Sequence, residues 1–413
     1  MKRLLILLPF LVFHLSSEAQ DNKELLIINR IDHLDELARE PMLAQHPNGT
    51  LFLTGYRNAA DEPQLWKSLD SGKHWQSVNV GKYEDGAQGN SDADLYIDNE
   101  GNIFLLSMSY TKAPEDRTNL DMSTLIGEQV VVGVSRDIGE TWKWSFISKN
   151  DYDDRPWIEE SSNGDLHIIW NDGKGVHHSK STDKGETWIK QTDINAKGGS
   201  SFFAKGPNGN LALRIAPLSA SGYQIDEGVD LIKLSNDNGK TWKDVKFPEE
   251  LVWSPDMSGL PRWTEPIGFD SEGNLYALWS TGNELKLAIT KNEGKSWSKE
   301  SIFKSEQMMY FPYMEISDDF LMITWLSGNG KSLRHNAGVI SLSNQNWNLL
   351  TIPPQKLDIR ARFANSENGL STGGEYFPII KLANGNFGMA TTIQNQTSNR
   401  LGFSFWELLL SKY

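Results

Sequence analysis

Side chains able to bind anions and move protons gather at recurrent places in this 413-residue sequence. Directly ahead of short strand-like runs stand Arg39-Glu40, Ser91 to Asp94, Asp154-Arg155-Pro156-Trp157 and Ser200-Ser201. Arg262-Trp263-Thr264-Glu265, Tyr310-Phe311 and Glu375-Tyr376 hold the same kind of position further on. A second set of polar segments carries Arg57 and Asp61, Asn171 to His178, Arg334-His335 and Arg400. Random surface loops favour lysine, whereas these favour arginine, tyrosine, tryptophan and acids. A guanidinium grips a carboxylate or sulfate bidentately, which lysine cannot do. Trp157 and Trp263 offer faces on which sugar rings could stack. Tyr310, His177 and His335 are candidate proton-transfer groups, with Asp61 or Asp92 as an acid. The chemistry expected is capture of an anionic ligand, followed by general acid–base work.

Such positions need a repeating scaffold, and internal repeats are the first thing to seek. Ser68-Leu69-Asp70-Ser71-Gly72-Lys73-His74-Trp75 recurs as Ser135 to Trp142, Ser181 to Trp188 and Ser235 to Trp242. Thr290 to Trp297 is a near-copy, and Ser341 to Trp347 a worn one. In the pattern Ser-x-Asp-x-Gly-x-x-Trp, the carboxylate can accept turn amides and glycine supplies a positive φ. The tryptophan can pack back between neighbouring sheets. These residues are read as structural. A second repeat is a hairpin whose turn carries Asn48-Gly49, Glu100-Gly101, Asn163-Gly164, Asn208-Gly209, Glu272-Gly273, Asp318-Asp319 or Asn384-Gly385. The runs that follow, such as Leu51-Phe52-Leu53 and Leu275 to Leu278, read as alternating strands. Seven such hairpins predict an all-β, seven-bladed β-propeller, one domain over 20–413. The last unit lacks an outer strand, and Leu25 to Asn29 is expected to fill it and close the ring.

The eight-residue motif resembles the Asp-box, or BNR repeat, of sialidase-like β-propellers. In that family the turn joins the third and fourth strands of a blade, on the face away from the ligand. The resemblance therefore implies a ligand mouth at the leading ends of the innermost strands and at the loops between second and third strands. Known sialidases open with an aromatic-Arg-Ile-Pro sequence, where this chain has Ala38-Arg39-Glu40-Pro41. Seven-bladed relatives include secreted enzymes that degrade acidic polysaccharides, uronate lyases among them, and ulvan is a candidate substrate by that analogy. For elimination, a cation neutralises the uronate carboxylate, a Tyr or His removes the C5 proton, and an acid protonates the leaving oxygen. Arg155 or Arg262, Tyr310, and His177 or His335 fit those roles. Arg39, Arg57, Asp92, Trp157, Arg262, Trp263, Arg334, Glu375 and Tyr376 are expected to bind substrate. Two alternatives stand beside this. One is a sialidase-like exo-glycoside hydrolase, with Tyr310 or Tyr376 paired to Glu375 and Asp61 or Asp92 as acid. The other is a noncatalytic propeller that binds a glycan or a protein.

Composition narrows the field further. Absence of cysteine excludes disulfides, thiolate metal sites and a cysteine nucleophile. A net charge of −14 argues against nucleic acid as a partner. Lys2 and Arg3, the apolar run Leu4 to Leu15 and the small residues Ser17 and Ala19 read as a signal peptide over 1–19. An exported protein, periplasmic or secreted, is expected, with no membrane span, no cofactor and no metal site. It is expected to act as a monomer on an anionic oligosaccharide. His74 falls inside a repeat turn and His167 in mid-strand, so both are read as structural.

Overall fold

The computed structural model describes residues 23–33, 39–57, 60–111, 127–172, 174–217, 228–253, 265–317, 319–328, 333–343, 347–357, 374–394 and 401–411. These form seven antiparallel sheets arranged as the blades of a β-propeller. Blade 1 consists of Arg39–Gln45, Leu51–Tyr56, Gln64–Ser68 and Gln76–Ser77. Blade 2 follows with Ala93–Ile97, Ile103–Tyr110, Gly127–Ser135 and Lys143–Ser148. The innermost strands of blades 3 to 7 are Asp154–Glu160, Gly199–Lys205, Ile267–Phe269, Met308–Ser317 and Ile379–Lys381. In blade 7 the outer strand comes from the other end of the chain: Glu24–His33 pairs antiparallel with Leu401–Ser411. The ring is thus closed by hydrogen bonds, as expected for a chain with no disulfides. Blade 6 holds an unforeseen extra strand, Gln355–Leu357, on the edge of Leu333–Ser341.

The second strand of a blade departs from the expected alternation. Leu51–Tyr56, Leu211–Ala216 and Leu275–Ser280 are buried at every position. Each is covered on both faces by the adjacent blades, so neither side is left to water. Outer strands show the opposite: Gln76–Ser77 and Ile189–Lys190 are short and exposed.

The Ser-x-Asp-x-Gly-x-x-Trp turns join third to fourth strands. In blade 2, Asp137 accepts the Thr141 amide at 2.8 Å and its hydroxyl at 2.6 Å, and the Gly139 amide donates to Ser135 Oγ at 2.9 Å. Glycine is needed there for two reasons. Gly72 has φ +83, and a Cβ on it would stand 2.1 Å from Phe405 of blade 7. Each turn is thereby seated on its neighbour. Because strands alternate in direction, these turns lie on one face. The leading ends of the innermost strands and the ends of the second strands lie on the other.

Candidate functional site

The first strands do not start as regular strands. Pairing with the second strand slips between Arg39 and Met42, Asp154 and Trp157, Ser200 and Phe202, and Tyr310 and Tyr313. Glu40, Arg155 and Phe311 occupy these bulges at φ of 51°, 46° and 46°. All three precede proline, which normally holds its predecessor extended. A left-handed residue there costs on the order of 1–3 kcal/mol. The slip re-aims the side chain that follows or precedes it, and in blades 1 and 3 these are arginines and carboxylates.

Those side chains meet at the axis. Arg155 has Nη1 3.3 Å from Asp154 Oδ2 and Nη2 4.0 Å from Glu375 Oε2. Arg39 Nη2 lies 3.9 Å from Glu40 Oε1, and its guanidinium sits 5.5 Å from the centre of the Tyr56 ring. The Tyr376 hydroxyl donates to Asp92 Oδ2 at 3.2 Å, and the Tyr110 hydroxyl donates to Asp154 Oδ1 at 3.2 Å. Ser200 Oγ donates to the Arg155 carbonyl at 2.9 Å, fixing the strained peptide from blade 4. Gly374 makes room for Glu40, whose Cγ would be 2.2 Å from a Cβ there. Arg39 and Glu375 retain 26% and 20% of their side-chain area in contact with solvent, so the cleft is open at the top.

Burial, with neighbouring charges second, sets the protonation of this cluster. Burial, then the charge of Asp154, pushes Asp92 up to about 6, against the pull of Arg155 and Arg39. Burial pushes Glu375 up to about 8, with Arg155 opposing and Asp92 adding. Burial and then Asp92 likewise hold Glu40 well above the carboxylate range. Burial raises Tyr376, and Asp92 and Glu40 add to it. Burial works against the charge on Arg155, but Asp154, Glu375, Tyr376 and Asp92 outweigh it. Near neutral pH the cleft therefore holds two cations, an ionised Asp92 and a protonated Glu375. Two carboxyls whose environments separate them in this way are equipped to act as base and acid.

The structure brings Arg39, Asp92, Arg155, Glu375 and Tyr376 together. Trp157 is 5% exposed and packs beneath them, 5.3 Å from the Tyr376 ring and 5.4 Å from Phe202. Tyr310 is buried among Phe311, Leu326, Leu333 and Phe377. His335 is buried between Phe377 and Trp406, and that burial holds it down at about 3. His177 stands between Asp172 at 3.0 Å and Asp193 at 2.8 Å, on the blade 3 hairpin. Arg334 is exposed and Arg57 half-buried, both where second strands end or third strands begin. Arg262 and Trp263 lie outside the described residues, as does Arg400.

Sequence reasoning missed Tyr56 and Tyr110. Both are the last residue of a second strand, on the mouth face, so the strand repeat carried a usable signal. It also missed a deeper cluster. Phe202 and Tyr313 meet across the axis at 5.3 Å between centroids. Beyond them Glu159 and Glu315 are pushed up to about 7 and about 8, chiefly by burial, and Lys205 stands 3.7 Å from Glu159. Among the described residues, no three His, Asp or Glu side chains converge to hold a metal ion, and no helix is long and apolar enough to cross a membrane.

No protein-family model matches the chain, nor does any curated protein sequence. Solved structures do. A PL25 ulvan lyase, a polysaccharide lyase, superposes with a TM-score of 0.53 at 13% identity, over 91% of this chain and 95% of its own. Its form bound to -[GlcA(1-4)Rha3S]- gives 0.53 at 12% identity, over 91% and 95%. YCF48 from Cyanidioschyzon merolae gives 0.51 at 11% identity, over 93% and 98%. These likenesses establish the β-propeller fold and, at such identities, the fold alone.

Proposed function

We propose that the protein is a carbohydrate-active enzyme that eliminates at a uronic acid of an acidic oligosaccharide. The observation that carries this reading is the single cleft in which Arg39 and Arg155 flank Tyr376–Asp92 and a protonated Glu375. In this reading the two guanidiniums take the sugar carboxylate, and neutralising it acidifies the C5 proton. The Tyr376–Asp92 pair receives that proton. The C5–H electrons form the C4=C5 bond, the C4–O4 bond breaks, and Glu375 delivers its proton to the leaving oxygen. Tyr376 is preferred to Tyr310, His177 and His335 in this assignment because it is hydrogen-bonded to Asp92, whereas Tyr310 and His335 pack among apolar side chains and His177 is held by Asp172 and Asp193. The likeness in fold to a lyase that binds a uronate-containing saccharide is consistent with this assignment. We also assign residues 1–19 to export to the periplasm or exterior, on the basic start and apolar run, and take the working unit to be a monomer.

A second reading rests on the same Tyr376–Asp92 hydrogen bond. A tyrosine beside a carboxylate is also the arrangement of an activated nucleophile in hydrolysis. One experiment separates the classes. Purified protein is incubated with uronate oligosaccharides, and ultraviolet absorbance and reducing ends are followed together. Growth of the conjugated-uronate absorbance supports elimination. New reducing ends without it overturn elimination in favour of hydrolysis. Binding without any product leaves a noncatalytic glycan-binding propeller.

A further inference from the structure

A groove of about 570 Å³ lies beside the cleft, between the mouth-side loops of blades 1 and 2. It shares a wall with the cleft. Tyr110 lines the groove, while its hydroxyl reaches Asp154 in the centre. Asn90 lines it as well, and Asp92 lies two residues on, which places the two sites within about 7 Å along the segment that leads into the innermost strand. The groove differs from the cleft in chemistry. Phe146 and Tyr83, 54% and 45% exposed, present aromatic surface on its walls. Gln88, Gln129 and Asn150 supply amides beside them. Gln129 donates to Gln88 at 2.6 Å and Asn90 donates to the Tyr110 carbonyl at 3.1 Å, so the polar wall is held in place before any ligand arrives. Among the described residues that line it, the charged ones are Asp61, Glu128 and Asp151 against Lys149. That balance repels a carboxylate or sulfate, the reverse of what two arginines do in the cleft.

We infer that this groove is an outer subsite for a neutral, hydroxyl-rich sugar unit linked to the acidic unit held at Arg39 and Arg155. Aromatic surface with fixed amides and no net positive charge recognises an uncharged pyranose ring through stacking and hydroxyl hydrogen bonds. The substrate class that fits both sites is an oligosaccharide in which acidic and neutral sugars adjoin. The inference rests on the proposed reading of the cleft, and the test keeps the two apart.

Binding is measured by titration calorimetry with glucuronate and with a tetrasaccharide of alternating uronate and neutral sugars. Wild type, Arg155→Ala, Phe146→Ala and Tyr83→Ala are compared. Both groove aromatics are exposed, so their removal leaves the fold intact, and circular dichroism checks it. The expected result is tighter binding of the tetrasaccharide than of glucuronate. Phe146→Ala and Tyr83→Ala should each cut tetrasaccharide affinity roughly tenfold and leave glucuronate unchanged. Arg155→Ala should weaken both ligands. If wild type fails to bind glucuronate, the reading of the cleft fails. If glucuronate binds but the tetrasaccharide gains nothing, or the gain survives both groove variants, the subsite is overturned.

Discussion

Glu375→Gln tests the electrostatics of the cleft without any assumption about substrate. In the folded chain Glu375 keeps its proton up to about 8, whereas its ordinary value is 4.5. Between those values the folded state binds a proton that the unfolded state has released. Its contribution to stability is therefore fully present below 4.5 and is lost as pH rises through about 8. That interval corresponds to a ceiling of about 5 kcal/mol. Water reaches a fifth of the side chain and Arg155 stands 4.0 Å away, so about 2 kcal/mol is the expected loss. Glutamine keeps the shape and cannot ionise. Urea unfolding of both proteins at about pH 5 and about pH 8.5 should show wild type losing about 2 kcal/mol more than the variant over that range. Parallel pH dependence in the two proteins would refute the claim that burial and Asp92 hold the proton on Glu375. The kinetic counterpart follows from the same values: activity limited by Asp92 below about 6 and by Glu375 above about 8, with Glu375→Gln lowering activity throughout and leaving a residual rate without the alkaline limb.

Arg155→Ala and Tyr376→Phe should each lower kcat/KM by roughly tenfold or more, from lost charge stabilisation and a lost proton-transfer group, while Tyr310→Phe leaves it unchanged; equal effects in all three would move the reacting atoms away from the cleft. Gly72→Ala and Gly49→Ala share a positive φ of +83 and +94, but only at Gly72 does a Cβ meet a neighbouring blade. Denaturant melts should find Gly72→Ala the less stable variant by about 1–3 kcal/mol, and equal losses would show that the turn is not seated on Phe405. His335 is held at about 3 against an ordinary 6.5, so its contribution to stability is present above 6.5 and is lost as pH falls below it. His335→Leu should remove about 2 kcal/mol of the destabilisation seen between about pH 7 and about pH 5, read from melts at each pH.

The repeats were enough to specify the architecture. Ser-x-Asp-x-Gly-x-x-Trp requires a positive-φ turn with a carboxylate over its amides, a local demand written in adjacent residues, and Asp137 and Gly139 meet it within one hairpin. Seven hairpins, with turns about 45 to 66 residues apart, then require seven sheets, and Leu25 to Asn29 had one vacant edge to fill. That the leading ends of the innermost strands share the face opposite the Ser-x-Asp-x-Gly-x-x-Trp turns follows from the same strand order. What no spacing disclosed was which side chains turn inward there. Arg155 and Phe311 occupy equivalent positions in the repeat, each directly before the proline of a bulge, yet one reaches Glu375 and the other packs with Tyr310 and Phe377. His335, polar in sequence, is enclosed by rings from blade 7. Protonation lay equally out of reach, because Asp92 and Glu375 are 283 positions apart in the chain and affect one another only once the ring has closed. Local turns and strand periodicity depend on neighbours in sequence, whereas burial and charge depend on neighbours in space, and in a closed ring the two sets scarcely overlap at the axis.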